Sequence, residues 1–96
     1  MLVLVAYDVE TATPAGRRRL RRVARVCQDY GVRVQKSLFE CSVGPAERLL
    51  LKSRLLSEID EERDSLRLYY LSDDVRGKTE HYGIARPLDP EGLLLG

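Results

Sequence analysis

The stretch LVLVAYDVE, residues 2–10, is an unbroken apolar run that ends in a tyrosine and two carboxylates. In a strand, successive side chains point to opposite faces of the sheet, so Asp8 shares its face with alternate members of the run. The two faces are Leu2, Leu4 and Ala6 on the side of Asp8, and Val3, Val5 and Tyr7 on the other. Apolar residues on both faces indicate a central strand that is covered on two sides.

A helix is predicted directly after this strand. Thr11 or Thr13 can cap its start, with Pro14 in the first turn. We expect Gly31 to end the helix in the left-handed conformation. Between these signals, apolar residues recur at helical spacing: Leu20, Val23, Ala24, Cys27 and Tyr30.

The middle of the chain predicts two strands and a second helix. The segment VRVQKSLFECSV, residues 32–43, is rich in β-forming residues but changes its apolar phase, so a turn or bulge is expected near Lys36 and Ser37. A second amphipathic helix is predicted over residues 46–59, and the last clear strand over residues 65–73. The apolar positions assigned to the second helix are Leu49, Leu50, Leu55, Leu56 and Ile59.

The order βαββαβ predicts an α+β, ferredoxin-like sandwich in one domain, residues 1–96, with both helices on one face and strand one in the middle. The second apolar face of strand one then needs a cover, which a two-fold homodimer supplies. We expect the tail, residues 77–96, to add an additional C-terminal strand to the partner's sheet. A frayed terminus is the alternative for this tail.

Composition excludes several classes of protein. The apolar start lacks a basic leader and is shorter than a membrane span, so we expect a cytoplasmic protein with no membrane partner. Two cysteines and one histidine cannot complete a zinc cluster, and both cysteines are predicted to be reduced core residues. The net charge of +1 conceals a cationic segment at residues 16–25 and an anionic one at residues 58–64.

The acids at the end of strand one are candidates for a metal site. If Asp8 lies on the face that dimerises, two copies can converge on one Mg²⁺, an ion that takes few carboxylates and keeps several waters. Glu10 lies two residues further on, on the same side if the strand continues, and is a candidate catalytic base or outer ligand. A capping or solvated carboxylate is the alternative.

The cationic segment is a candidate surface for nucleic-acid phosphates. Arginines at helical spacing repel one another, and a polyanion relieves that repulsion through backbone contacts that read no base sequence. A solvated face neutralised by residues 58–64 is the alternative. The arginines assigned to phosphate binding on this helix are Arg17, Arg18, Arg21, Arg22 and Arg25.

Several strings also resemble one family. YDV at the end of strand one, DYG at the end of the first helix, and RVQKSLFEC after it closely resemble the small CRISPR-associated Cas2 proteins. The resemblance extends through EIDEERDSLRLYYL and EHYG to DPEG, with Leu38 where valine is usual. It implies a ferredoxin-like homodimer of prokaryotic antiviral defence that acts with the CRISPR integrase in spacer acquisition. It also implies a magnesium-dependent endonuclease on RNA or double-stranded DNA, with Asp8 as the metal ligand.

The resemblance assigns further positions around the same cleft. Arg33 is carried over as a nucleic-acid-binding residue, and the roles of the remaining motif positions are not specified: Tyr7, Ser37 and Phe39. Two alternatives to a nuclease stay open, a non-catalytic DNA-binding scaffold and a ferredoxin-like module that binds a small ligand. The sequence leaves open the preference for RNA or DNA and the separation of the two Asp8 carboxylates. It also leaves open whether His81 is a surface or packing residue or a pH-dependent hinge.

Overall fold

The computed structural model describes residues 1–71 and 78–84. Its elements follow the predicted order of strands and helices. They are β1 (Leu2–Asp8), α1 (Pro14–Tyr30), β2 (Gly31–Gln35), β3 (Leu38–Ser42), α2 (Pro45–Glu58) and β4 (Ser65–Leu71).

The four strands form one antiparallel sheet in the order β2-β3-β1-β4. Strand β1 is central, and its Val5 lies opposite Phe39 of β3 and Leu68 of β4. Both helices pack on one face of this sheet. The predicted ferredoxin-like α+β fold, with strand one in the middle, is therefore confirmed.

The core lies between the sheet and the helices. Val3 and Val5 of β1 are fully buried beneath Val23 of α1 and Leu55 of α2. Burial of each such side chain stabilises the fold by about 1.5–3 kcal/mol. Cys27 and Cys41 are free, buried thiols, as predicted. Burial raises the pKa of each to about 12, which disfavours the reactive thiolate.

The predicted core face of α2 is partly wrong. The fully buried leucines are Leu51 and Leu55, whereas Leu49, Leu50 and Leu56 are exposed. A helix with so many leucines offers more than one apolar face, and periodicity alone does not choose between them. The choice is made by packing, because the face with Leu51 and Leu55 is the one that meets the sheet and α1.

Gly31 ends α1, but not in the predicted left-handed conformation. Its backbone is extended, with φ −166° and ψ −163°, and it begins β2 directly. The reason for glycine here is the close approach of β3, since a Cβ at this position would lie 2.1 Å from the Glu40 carbonyl oxygen. The prediction of a helix end was correct, and its mechanism was wrong.

The remaining local predictions concern the turn between β2 and β3, the tail and the end of β4, and only part of them lies within the described residues. A turn at Lys36 and Ser37 and a register shift between Arg33 and Gln35 separate β2 from β3, as the phase change predicted. The described part of the tail, residues 78–84, contains no strand. Residues 85–96, and the last two residues of the predicted strand 65–73, lie outside the described residues.

The face of the sheet opposite the helices carries apolar side chains that are only half-buried. Leu2, Leu4 and Ala6 are half-buried there, and Asp8 at the end of the same row is exposed. We call this surface the open face. In residues 1–71 and 78–84 there is no helix with the length and apolar character needed to span a bilayer.

Candidate active site and nucleic-acid interface

Asp8 is the last residue of β1 and lies on the open face, opposite Ser65 of β4. Its side chain is exposed. Among the described residues, none donates a hydrogen bond to its carboxylate or forms an ion pair with it. The carboxylate at the end of the central strand is therefore available to an external ligand.

Glu10 does not extend the row that Asp8 ends. The strand stops at Asp8, so the condition under which both acids would share one side is not met. The Glu10 carboxylate instead pairs with Arg63, at 3.4 Å between Oε1 and Nη1. Nor does any cluster of three or more His, Cys, Asp or Glu side chains suited to a metal occur within the described part of the protomer.

The sequence analysis did not identify a second aspartate beside this strand end. Asp64 has a fully buried side chain that accepts four hydrogen bonds, from Nε and Nη2 of Arg19 and from the backbone N–H groups of Glu10 and Asp60. Mainly through the Arg19 contacts, these bonds lower the pKa of Asp64 to about 2. Asp64 thereby joins α1 to the loop after β1 and to the start of β4, and Arg19 is not available to phosphate.

The motif positions on the helix side of the sheet form a packed cluster. Tyr7 is buried and stacks on Phe39, with ring centroids 6.3 Å apart, and burial raises the pKa of the Tyr7 hydroxyl. The Arg33 guanidinium lies 5.1 Å from the centre of the Phe39 ring. Its Nε is buried with no hydrogen-bond partner among the described residues. These side chains face the core rather than the open face.

Tyr7 also fixes the turn between β2 and β3. Its backbone N–H donates to the Ser37 carbonyl at 3.1 Å, and its hydroxyl donates to the Lys36 carbonyl at 3.4 Å. Because Tyr7 precedes Asp8 in β1, these bonds set the position of the turn relative to the candidate metal ligand. The polar groups of Tyr7 are thus used within the protein.

The predicted phosphate-binding arginines of α1 have different environments. Arg17 is exposed at the start of the helix and donates from Nη1 to the Thr11 carbonyl, in the loop that follows β1. Arg22 pairs with Glu58 of α2, at 2.8 Å. Together with Arg54, which the sequence analysis missed, four of these arginines line a groove between α1 and α2: Arg18, Arg21, Arg22 and Arg25.

This groove and Asp8 lie on opposite sides of the sheet. The groove belongs to the helix layer, whereas Asp8 alternates with Tyr7 and points to the open face. Helical spacing predicted that the arginines share a side of α1, but only the packing of α2 shows where that side points. Arg54 had a sequence signal in its i, i+4 relation to Glu58, which places both residues on one side of α2.

The described part of the tail lies beside the turn between β2 and β3. An open cavity is lined there by His81, Tyr82 and Ile84 of the tail and by Ala6 and Leu38 of the open face. The side chain of His81 is exposed, and the Tyr82 hydroxyl donates to the Glu80 carboxylate. His81 is thus a surface residue beside the open face, and its role as a pH-dependent hinge stays a prediction.

We compared the sequence and the fold with those of known proteins. A sequence profile of the family described as CRISPR associated protein Cas2 matches residues 1–79. The chain belongs to the Cas2 family. A relative from Chlorobaculum tepidum, named CRISPR-associated endoribonuclease Cas2, is 58% identical over 95 residues, which cover 99% of both chains. A relative from Halalkalibacterium halodurans, named CRISPR-associated endonuclease Cas2, is 50% identical over 95 residues, with the same coverage.

Solved structures of Cas2 proteins share this fold. The crystal structure of Streptococcus pyogenes Cas2 is 57% identical in sequence and superposes with a TM-score of 0.78. It covers 86% of this chain, and the match includes 100% of the S. pyogenes chain. The names of the Cas2 relatives support a CRISPR-associated nuclease as the class of function.

Proposed function

We propose that this Cas2 protein is a homodimeric endonuclease of prokaryotic CRISPR defence that hydrolyses phosphodiester bonds of RNA or double-stranded DNA with Mg²⁺ held at Asp8. The observation that carries the proposal is the exposed Asp8 carboxylate at the end of the central strand, which has no partner in the described part of the chain. The names of Cas2 relatives, endoribonuclease and endonuclease, support the reaction class. The proposal includes action with the CRISPR integrase in spacer acquisition.

The open face supports the homodimer. Burying its apolar side chains against water-excluding protein is favourable in proportion to the area removed from water. A two-fold axis through the open face brings like residues together, so that the Asp8 of one protomer approaches the Asp8 of its partner. The apolar residues available for this contact are Leu2, Leu4, Ala6, Val32, Leu38, Tyr69 and Leu71.

The donor set fits magnesium only as a shared site. Within residues 1–71 and 78–84, one protomer offers a single unpaired carboxylate at this position, because Glu10 is paired with Arg63. Mg²⁺ is commonly held by one or two carboxylates and retains waters, so one Asp8 from each protomer is a suitable pair. When bound, the ion polarises the phosphodiester and lowers the pKa of a bound water.

The chain's own residues define the rest of the site. Asp64 and Arg19 hold the loop after Asp8 and the start of β4, and Tyr7 holds the turn between β2 and β3. Arg17, against the loop after β1, is the α1 arginine suited to a phosphate near Asp8. With so few acids at the centre, we expect slow hydrolysis that depends on the dimer.

The arginine groove favours a second function. Cations on the helix layer can bind phosphates without Asp8, so the protein can also serve as a DNA-binding scaffold for the integrase when it does not cut. Both functions use phosphate binding, and they differ only in their need for Asp8. A regulatory module for an uncharged small ligand would make no use of the exposed arginines.

The test is the Asp8→Asn variant, with Glu61→Gln as a control that removes one exposed acid from the turn before β4. Cleavage of labelled RNA and duplex DNA is measured with Mg²⁺ and with a chelator. We expect Asp8→Asn to lose at least about 100-fold in rate, since even outer partners of a metal ligand contribute 10- to 100-fold. Wild-type rates in Asp8→Asn would overturn the nuclease proposal, and retained DNA binding and spacer uptake without cleavage would leave the scaffold as the cellular role.

A further inference from the structure

The groove between α1 and α2 is large enough to hold a small ligand. Its volume is about 410 Å³, which is within the range of small-molecule pockets. The buried Val26 contributes an apolar surface, and Ser57 and Glu58 of α2 form part of the other wall. Five guanidinium groups surround it: Arg18, Arg21, Arg22, Arg25 and Arg54.

Two of these five cations are neutralised inside the protein. Arg22 pairs with Glu58 at 2.8 Å, and Arg54 pairs with Asp29 at 2.8 Å and lies over the Tyr30 ring. These pairs hold the two helices together across the groove. They also use the nearby acids, so those acids do not compensate the remaining arginines.

The other three cations lack an acidic partner within residues 1–71 and 78–84. Arg18, Arg21 and Arg25 are exposed and occupy one side of α1 at the spacing i, i+3 and i+7. Like charges at this spacing destabilise a helix, and α1 has no acid in its first turn to offset them. A charge arrangement that costs stability without a partner indicates a ligand that supplies the negative charge.

The chemistry of the groove selects a phosphate-bearing ligand. One guanidinium group can donate two hydrogen bonds to a phosphate and can stack on a planar ring, and an ammonium group can do neither in this way. A cavity of this volume is large enough to hold a nucleotide. We propose that the groove between α1 and α2 binds the phosphates of a nucleotide, in a single strand or free, as a site separate from Asp8.

This inference rests on the proposed nucleic-acid binding but not on cleavage. If two protomers join through their open faces, each groove lies on an outer surface of the dimer, behind the sheet that carries Asp8. A phosphate in the groove is then not the phosphate that reacts. The dimer is expected to hold two groove ligands, one per protomer.

The test uses Arg25→Gln and the double variant Arg21→Gln/Arg25→Gln, with Lys52→Gln as the matched control. Lys52 is exposed on α2, outside the groove, so its substitution removes the same charge without touching the site. The probes are a short labelled single-stranded RNA and adenosine triphosphate, in a chelator. We expect about tenfold weaker RNA binding for Arg25→Gln, about 100-fold for the double variant, and less than about twofold for Lys52→Gln.

Salt dependence and thermal stability provide further readouts. Each lost phosphate contact lowers the slope of log affinity against log salt by about 0.7 for a single strand. Without ligand, the double variant is expected to melt at the wild-type temperature or above it, because repulsion is removed. Equal RNA affinities in Arg25→Gln and Lys52→Gln would overturn the proposal. If adenosine triphosphate competes with the RNA, the site also binds a free nucleotide, and if it does not compete, the site binds only strands. Either result supports the proposal only if the arginine variants bind RNA more weakly than wild type.

Separation from Asp8 is tested by repeating the RNA measurements in the Asp8→Asn background. Sites on opposite faces of the sheet predict that Arg25→Gln has the same effect in both backgrounds, within about twofold. A larger coupling would place the two residues at one phosphate and overturn the assignment of separate sites. Because no cleavage is measured, a failure of the nuclease proposal leaves this result interpretable.

Discussion

Asp8 and Asp64 are two aspartates at the same end of the sheet, and their environments are opposite. Asp8 ends β1 on the open face, exposed and without a described partner. Asp64 precedes β4, and its side chain has no exposure to solvent and accepts four hydrogen bonds. Ser65, the next residue after Asp64, is the residue opposite Asp8 in the sheet, so the two acids are neighbours across one pair of strands.

The contrast shows that two aspartates at the same end of the sheet can have a structural role and a ligand-binding role, respectively. A buried carboxylate that satisfies backbone N–H groups and a guanidinium cannot also hold an external ion, because its lone pairs are occupied. An exposed carboxylate contributes little to stability and keeps its oxygens available. The carboxylate of Asp64 thus stabilises the fold around the site, whereas the carboxylate of Asp8 is available to bind a ligand.

The largest effect on stability is expected from Asp64→Ala. Removing one partner of a buried ion pair leaves the other uncompensated, so we expect the free energy of unfolding to fall by about 3 kcal/mol. The comparison is Asp8→Ala, for which a change within about 0.5 kcal/mol is expected. Urea unfolding at one fixed protein concentration measures both, since the stability of the proposed dimer would depend on concentration. Similar losses in the two variants would contradict the division of roles.

The open face provides the next test, through Leu4→Glu. A charge on the surface that the proposed dimer buries would oppose association, so we expect at least about a 100-fold rise in the dimer dissociation constant, which is about 2.7 kcal/mol. Leu49→Glu, on the exposed outer side of α2, is the matched control and should leave association unchanged. Sedimentation equilibrium measures both variants. Because Asp8 is proposed to act in pairs, Leu4→Glu should also lose cleavage, and a fully active monomer would refute the shared site.

Acid unfolding distinguishes the two aspartates by pH. The Arg19 contacts hold the pKa of Asp64 at about 2, below its ordinary value of 3.8, so the charged form is the one that stabilises the fold. This contribution is fully present above about pH 4 and is lost as the pH falls towards 2. We expect the stability gap between wild type and Asp64→Asn to be constant above pH 4 and to narrow below it. A stability gap that widens on acidification would contradict a lowered pKa for Asp64 in the folded protein.

The smallest effect is expected from Tyr7→Phe, which keeps the ring and removes the hydroxyl. The hydrogen bond to the Lys36 carbonyl is long, at 3.4 Å, so we expect a loss of about 0.5–1 kcal/mol and less than about a threefold change in cleavage. Tyr82→Phe, at an exposed tyrosine, is the control. A large fall in cleavage with unchanged stability would instead give the Tyr7 hydroxyl a part in the reaction.

Patterns short in sequence predicted most of the fold. The alternation in residues 2–8, the phase change near Lys36 and the spacing of apolar residues in α1 each depend on local geometry, and each was correct. The leucine face of α2 and the conformation of Gly31 depend on what packs against them, and both predictions were wrong. For the site, strand alternation located Asp8 correctly on the open face, but no local pattern distinguished Asp64 from the six other residues of EIDEERD.

The sequence by itself determined the order of elements, the central place of β1 and the position of Asp8 at its end, because periodicity and turn residues act within a few positions of the chain. Only the tertiary structure decided that Arg19 pairs with Asp64 and that Arg22 and Arg54 pair across two helices. It also decided that Arg18, Arg21 and Arg25 have no acidic partner among the described residues. The reason is that a charge is satisfied by what lies near it in space, and these partners are 25 to 45 residues apart in the chain.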